Sequence, residues 1–173
     1  MINLHPIIVH FPVALLTVYA WFELASLHPK LRNNKTIFYI KLVLLFIGTV
    51  WTIWWILSGE VAEKIIGIGQ SKLIHTHEEF AEMTRNAFVL LSILYIAKLY
   101  VNEKQLPIAK ALPPFLQNIL EWIAKYTNKF FVPQILAIVG LFLVTVTGAL
   151  GWAISHWSST DPIVTRAVKT FVK

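Results

Sequence analysis

The chain has no cysteine among its 173 residues. That absence excludes disulfides, thiolate-bound metals, iron–sulfur clusters and haem attached through thioether bonds. Charge is scarce as well: 14% of the residues are Asp, Glu, Lys or Arg, against about 25% in an average soluble domain. Acids are the scarcer sign, with 9 against 15 Lys and Arg. No dinucleotide fingerprint, phosphate-binding loop or nucleophile-elbow serine can be read anywhere. The two glycines of IIGIGQSK, Gly67 and Gly69, are too few to cradle a phosphate and instead suggest that the stretch 58–76 turns or re-enters. No basic leader precedes an apolar run with a small-residue cleavage site, so no signal peptide is expected. Nor is there a basic face interleaved with stacking aromatics, and nucleic acid is not an expected partner despite the formal charge of +6.

What the chain has in abundance is apolar surface. Hydrophobic residues make up 57% of it, and the mean hydropathy is +0.65. A bilayer core about 30 Å thick takes around 20 mostly apolar helical residues. Four runs meet that length: residues 6–27, 36–57, 77–101 and 132–156. The second carries Lys41 near its start, where a lysine can snorkel. The third needs Phe80, Ala81 and Met83 to reach full length, and the fourth contains no charge. The expected fold is all-α: one integral domain over residues 1–173, a four-helix, up-and-down transmembrane bundle with short interfacial amphipathic helices.

Two segments supply those interfacial helices. Residues 113–126 put Phe115, Leu116, Ile119, Ile123 and Tyr126 on one helical stripe, with Gln117, Asn118, Glu121 and Lys125 elsewhere. Residues 163–172 repeat the pattern, with Asp161 as a cap and Pro162 in the first turn. Both suit a membrane surface, or equally the flank of the bundle. Four spans leave both termini on one side. Six of the basic residues then fall on the side of the termini and nine on the other, among them Lys30, Arg32, Lys35 and Lys41. The positive-inside rule makes the second side cytoplasmic, with the termini outside the cytoplasmic membrane of a prokaryote.

This threading gathers the histidines. His5 and His10 open the first run, His75 and His77 the third, and His156 closes the fourth; only His28 goes to the opposite face. An imidazole inside a bilayer is costly and is read first as functional, although a histidine at a helix end also serves as an anchor or a cap, the ordinary reading of His5 and His156. Small residues share the faces of two of them: Ala14 lies one turn from His10 and Ala81 one turn from His77, while Gly148 and Gly151 mark the fourth helix. Small side chains also serve plain helix packing. Combined with two imidazoles they describe a slot for a planar macrocycle, with His10 and His77 as axial ligands to haem iron from diagonal helices. A second site would draw on His5, His75 and His156.

The string LHPIIVHFP is the most specific in the chain. It resembles the opening of an uncharacterised family of four-span predicted membrane proteins with an HPxxVHFPxAL pattern, matched here by His5, Pro6, Val9, His10, Phe11, Pro12, Ala14 and Leu15. The likeness continues at Gly59, at His77 within HEEFAEMT, and at Gly148 and Gly151; His156 and the stretch 102–131 depart from it. The resemblance implies a fold and a topology, not an activity. From the residues, the expected function is that of a membrane b-type cytochrome. It would carry single electrons near the outer face, between the quinone pool or a partner enzyme and an outside acceptor, rather than act as a stand-alone enzyme. It would reside in the lipid bilayer, with a homo-oligomer open. Two alternatives stand beside it. One is a divalent-metal transporter or sensor using His75, His77, Glu78, Glu79 and Glu82, although no HExxH or ExxH spacing is present. The other is a cofactor-free anchor subunit of a larger complex.

Overall fold

The computed structural model describes residues 5–66, 71–129 and 131–155. Among them there are seven helices and no strand: α1 (His5–Ala25), α2 (Pro29–Arg32), α3 (Lys35–Ile66), α4 (Ser71–Asn102), α5 (Pro107–Lys110), α6 (Pro114–Lys129) and α7 (Val132–Ser155). His156, the glycines at 67 and 69, and the amphipathic segment expected at 163–172 lie outside the described residues.

Three helices hold stretches long and apolar enough to cross a membrane: Lys35–Thr52 in α3, Lys72–Asn102 in α4 and Val132–Ile154 in α7. α1 contributes a shorter apolar helix, Val9–Ala25. Their outward surfaces are apolar too. Trp21, Val43, Val50, Trp54, Ile138 and Phe142 are all exposed, a distribution that water disfavours and hydrocarbon accepts.

The described parts of the expected loop at 58–76 are helical. α3 runs on to Ile66 and α4 starts at Ser71, each helix having 32 residues, or about 48 Å at 1.5 Å per residue. The charged sequences here, GEVAEKII and SKLIHTHEEFAE, are rich in Glu, Ala, Lys, Leu and Ile. Most of these are strong helix formers, and no proline interrupts them. Polarity marks where apolar sequence ends, not where the helix does.

The four long helices pack as a square: α1 against α3 and α7, and α4 against α3 and α7. Paired contacts give their directions. Going forward along α1, Phe11, Leu16 and Glu23 meet Trp51, Gly48 and Lys41 in descending order on α3. Going forward along α4, His77, Phe88 and α7's Gly151 and Gly140 pair in the same descending way. Neighbours are therefore antiparallel, and α1 and α4 face each other across the diagonal with their starts at the same end. The middle of the bundle is an apolar layer of Leu16, Leu45, Phe88, Leu91 and Val144, with Tyr19 and Tyr95 at its edge. Two glycines permit its closeness. A Cβ at Gly48 would lie 2.6 Å from Leu16 Cδ2, and one at Gly140 would lie 2.9 Å from Phe88 Cζ.

At the far end of α1, short capped turns connect the helices. The His28 Nδ1 accepts from the Lys30 amide at 3.4 Å with Pro29 in the first turn of α2, and the Asn34 Oδ1 accepts from the Ile37 amide at 3.2 Å to start α3. The interfacial helix expected at 113–126 is α6, packed on α4. Its apolar stripe divides: Leu116 and Ile123 are half-buried, while Phe115 and Ile119 are exposed together with Trp122.

Candidate functional site

Polar side chains enter the core at both ends of the bundle, and the two ends differ in chemistry. At the start of α4, His77 is half-buried, with Nδ1 3.1 Å from the Thr147 carbonyl oxygen of α7. A carbonyl can only accept, so Nδ1 carries the proton in this contact and the lone pair belongs to Nε2. The imidazole can come this close because residue 151 has no side chain: a Cβ there would stand 3.1 Å from His77 Cε1. Two turns further along α4, the buried Thr84 hydroxyl lies 3.0 Å from that of Thr147 and completes a polar step between α4 and α7. This step holds one of the two expected axial ligands and one of the expected small residues, Gly151.

The other expected residues are not gathered there. His10 and Ala14 are exposed. They sit off the stripe of Pro12, Leu16, Tyr19, Ala20 and Glu23 that α1 buries, and Pro12 is accommodated within the continuous helix without turning His10 inward. Ala81 is half-buried. Gly148 is exposed, and a Cβ there would meet nothing within 4 Å. His75 is exposed and pairs with Glu79 at 3.3 Å. Among the described residues, no group of three or more His, Asp or Glu side chains could hold a metal ion. Of the His/Glu cluster of the divalent-metal alternative, His75, Glu78, Glu79 and Glu82 share one exposed face of α4, while His77 turns away from them toward α7. His5 begins α1, and His156 lies outside the described residues.

The end that the histidine argument passed over is the more fully built. Glu23 of α1 is completely buried, and so, almost completely, is Lys41 of α3. Lys41 Nζ lies 3.0 Å from Glu23 Oε2 and donates to Ser26 Oγ at 2.9 Å. The Tyr95 hydroxyl donates to Glu23 Oε2, and Gln134 Nε2 of α7 donates to Oε1 at 2.6 Å. All four long helices thus meet on one carboxylate. Tyr19 packs edge-on against the Tyr95 ring, centroids 5.7 Å apart, and its buried hydroxyl has no hydrogen-bond partner among the described residues. Above the network opens a cavity of about 480 Å³, whose lining includes Arg32, Lys35, Lys98 and Glu103. Glu23 and Lys41 were legible singly as charges near span ends. Their pairing follows from antiparallel packing, which brings the end of one run beside the start of the next.

No protein-family model, curated protein or solved structure matches the chain. The resemblance of the HPxxVHFPxAL string therefore rests on those residues alone.

Proposed function

We propose that the chain is a four-span integral membrane protein that holds haem b noncovalently near the face where α1 and α4 begin. Its job is to carry single electrons between a quinone or redox partner protein and an acceptor beyond that face. The fourth span is α1, whose 21 residues reach about 31 Å. The observation that supports the reading is His77. Its Nδ1 proton is engaged by a backbone carbonyl, an arrangement that fixes the tautomer, orients the ring and makes Nε2 the ligating nitrogen. Bound haem supplies reversible one-electron chemistry. The chain's own residues orient the imidazole, present the flat surface at Gly151 and exclude water.

His10, the other ligand expected from sequence, is exposed on α1, so the support for this reading comes from His77. The test is an absorption spectrum of protein purified in mild detergent from haem-replete cells, oxidised and then dithionite-reduced. A sharp reduced α-band, resolved from the β-band, is expected, with haem lost from His77→Ala. Protein that stays colourless after haem is added would overturn the reading. Loss of haem from His10→Ala as well would identify the pair expected from sequence as the ligands.

A further inference from the structure

The end of the bundle remote from the histidines carries a second site, and its charge states what it would bind. Four cations line the cavity, Arg32, Lys35, Lys41 and Lys98, against two carboxylates, Glu23 and Glu103, an excess of two positive charges. Both carboxylates are already engaged. Glu23 is held by Lys41, Tyr95 and Gln134, and Glu103 accepts from the Tyr39 hydroxyl at 2.5 Å. Among the described residues, Arg32, Lys35 and Lys98 form no ion pair. Two of these cations lie over aromatic rings instead: the Arg32 guanidinium is 5.3 Å from the Phe131 ring centroid, and the Lys98 ammonium 5.8 Å from that of Tyr95. Rings hold a cation in place without neutralising it.

A floor built from a satisfied ion pair, beneath cations that form no ion pair and with two positive charges in excess, attracts an anion. Arg32 offers a planar fork of donors suited to two oxygens at once, and Lys98 a point charge, the combination that suits phosphate. The volume, about 480 Å³, exceeds what inorganic phosphate would fill. The exposed apolar side chains of Val101 and Phe131 stand on the lining beside the charged groups. A polar floor with an apolar rim at the end of membrane-length helices fits a phosphate carried on an organic body. Basic pockets between spans hold anionic headgroups in this manner.

We infer that this cavity binds an anionic phosphate ester, held by Arg32 and Lys98 above the Glu23–Lys41 pair. Two sources share that chemistry, an anionic lipid headgroup and a soluble phosphate ester. The inference is independent of the haem reading and needs no cofactor.

The experiment follows thermal unfolding by tryptophan fluorescence, first in phosphatidylcholine nanodiscs with and without phosphatidylglycerol. It is then repeated in phosphatidylcholine alone with increasing glycerol 3-phosphate. A rise in melting temperature in the first arm alone identifies a headgroup site; a saturable rise in the second identifies a soluble ester. Either response is expected to weaken about tenfold or more in apparent affinity in Lys98→Gln and in Arg32→Gln, as losing one charge-assisted contact predicts. Both variants leave the Glu23–Lys41 pair intact, and each response is read against that variant's own ligand-free melting temperature. Lys125→Gln, which removes a basic residue outside the cavity, should leave the response unchanged. Absence of a response in both arms would overturn the inference, and so would a response of equal size in all three variants, which would mean diffuse surface charge.

Discussion

Removing one member of the Glu23–Lys41 pair should cost far more than removing both. Each charge sits in the core with side-chain exposure of 1% and 8%, and their atoms approach to 3.0 Å. Glu23→Gln keeps an acceptor for Tyr95 but leaves the Lys41 ammonium without a counter-charge, held by Ser26 Oγ and by the Tyr95 ring 5.6 Å away. Neutralising an ordinary lysine at pH 7 costs about 4.6 kcal/mol and an ordinary glutamate about 3.7 kcal/mol. Those figures cap the penalty, because a stranded group can always give up its charge. Polar contacts between membrane helices measure less than such caps, averaging about 0.6 kcal/mol, whereas breaking a buried ion pair in soluble proteins costs about 3–5 kcal/mol. Near-complete burial favours the upper part of the range, and we expect Glu23→Gln to lose about 3 kcal/mol. Lys41→Met should lose about 2 kcal/mol, since Tyr95 and Gln134 still donate to the carboxyl group. The double variant buries no net charge and should return to within about 1 kcal/mol of the wild type. Denaturant unfolding in detergent, followed by tryptophan fluorescence, gives all four corners of the cycle. A coupling energy below about 0.5 kcal/mol would refute the reasoning, because the two charges would then contribute independently.

The glycines give a graded series. Gly48→Ala would put a Cβ 2.6 Å from Leu16, and Gly140→Ala one 2.9 Å from Phe88; each should destabilise by about 1–3 kcal/mol through overpacking. Gly148→Ala meets nothing within 4 Å and should be neutral or stabilise by up to about 1 kcal/mol through helix propensity; the same unfolding assay would expose a reversed order. On the surface, the hydrogen bond to Glu121, 2.7 Å long, raises the Lys104 pKa above its ordinary value. A raised lysine stabilises the fold below its unfolded pKa and loses that contribution as pH climbs through the folded one, so this pair should be insensitive to pH through the neutral range and fail only in strong alkali. Glu121→Gln should bring the Lys104 titration back down, as followed by NMR of its side chain.

The helices were legible because their cause is local. Apolar runs such as 132–156 carry hydropathy without interruption, and α7 (Val132–Ser155) begins at the expected residue. Helix length was less legible where composition changed but propensity did not, as in the polar extensions of α3 and α4. The candidate sites depended on rotation about the helix axis, which the run of apolar residues does not encode when every face of a helix is greasy. His10, Ala14 and Thr17 share one face by spacing, but α1 turns Pro12, Leu16 and Tyr19 inward and leaves His10 and Ala14 exposed. His77 fell on the inward face of α4. Its partner there, the Thr147 carbonyl, is a backbone atom that no side-chain motif can announce. Glu23, Lys41, Tyr95 and Gln134 lie as much as 111 residues apart in the chain, and only the square of antiparallel helices puts them on one carboxylate.

The apolar layer between the two ends decides how they can relate to each other. His77 and Tyr95 are 18 residues apart on α4, about 27 Å along the axis. Between them Leu16, Leu45, Phe88, Leu91 and Val144 form a buried cluster, and the contacts at Gly48 and Gly140 draw the helices together there. The polar groups above the layer and those below it therefore belong to different compartments of the fold. A charge stranded at Glu23 perturbs Lys41, Tyr95 and Gln134 directly, but reaches His77 only through a layer with no ionisable group to relay it. Buried charge is tolerated in such a bundle where it is paired or can reach a face. Here the ion pair lies beneath one open cavity, and the histidine step is at the opposite end of α4. The two polar ends can thus be maintained in one small bundle without competing for the same core.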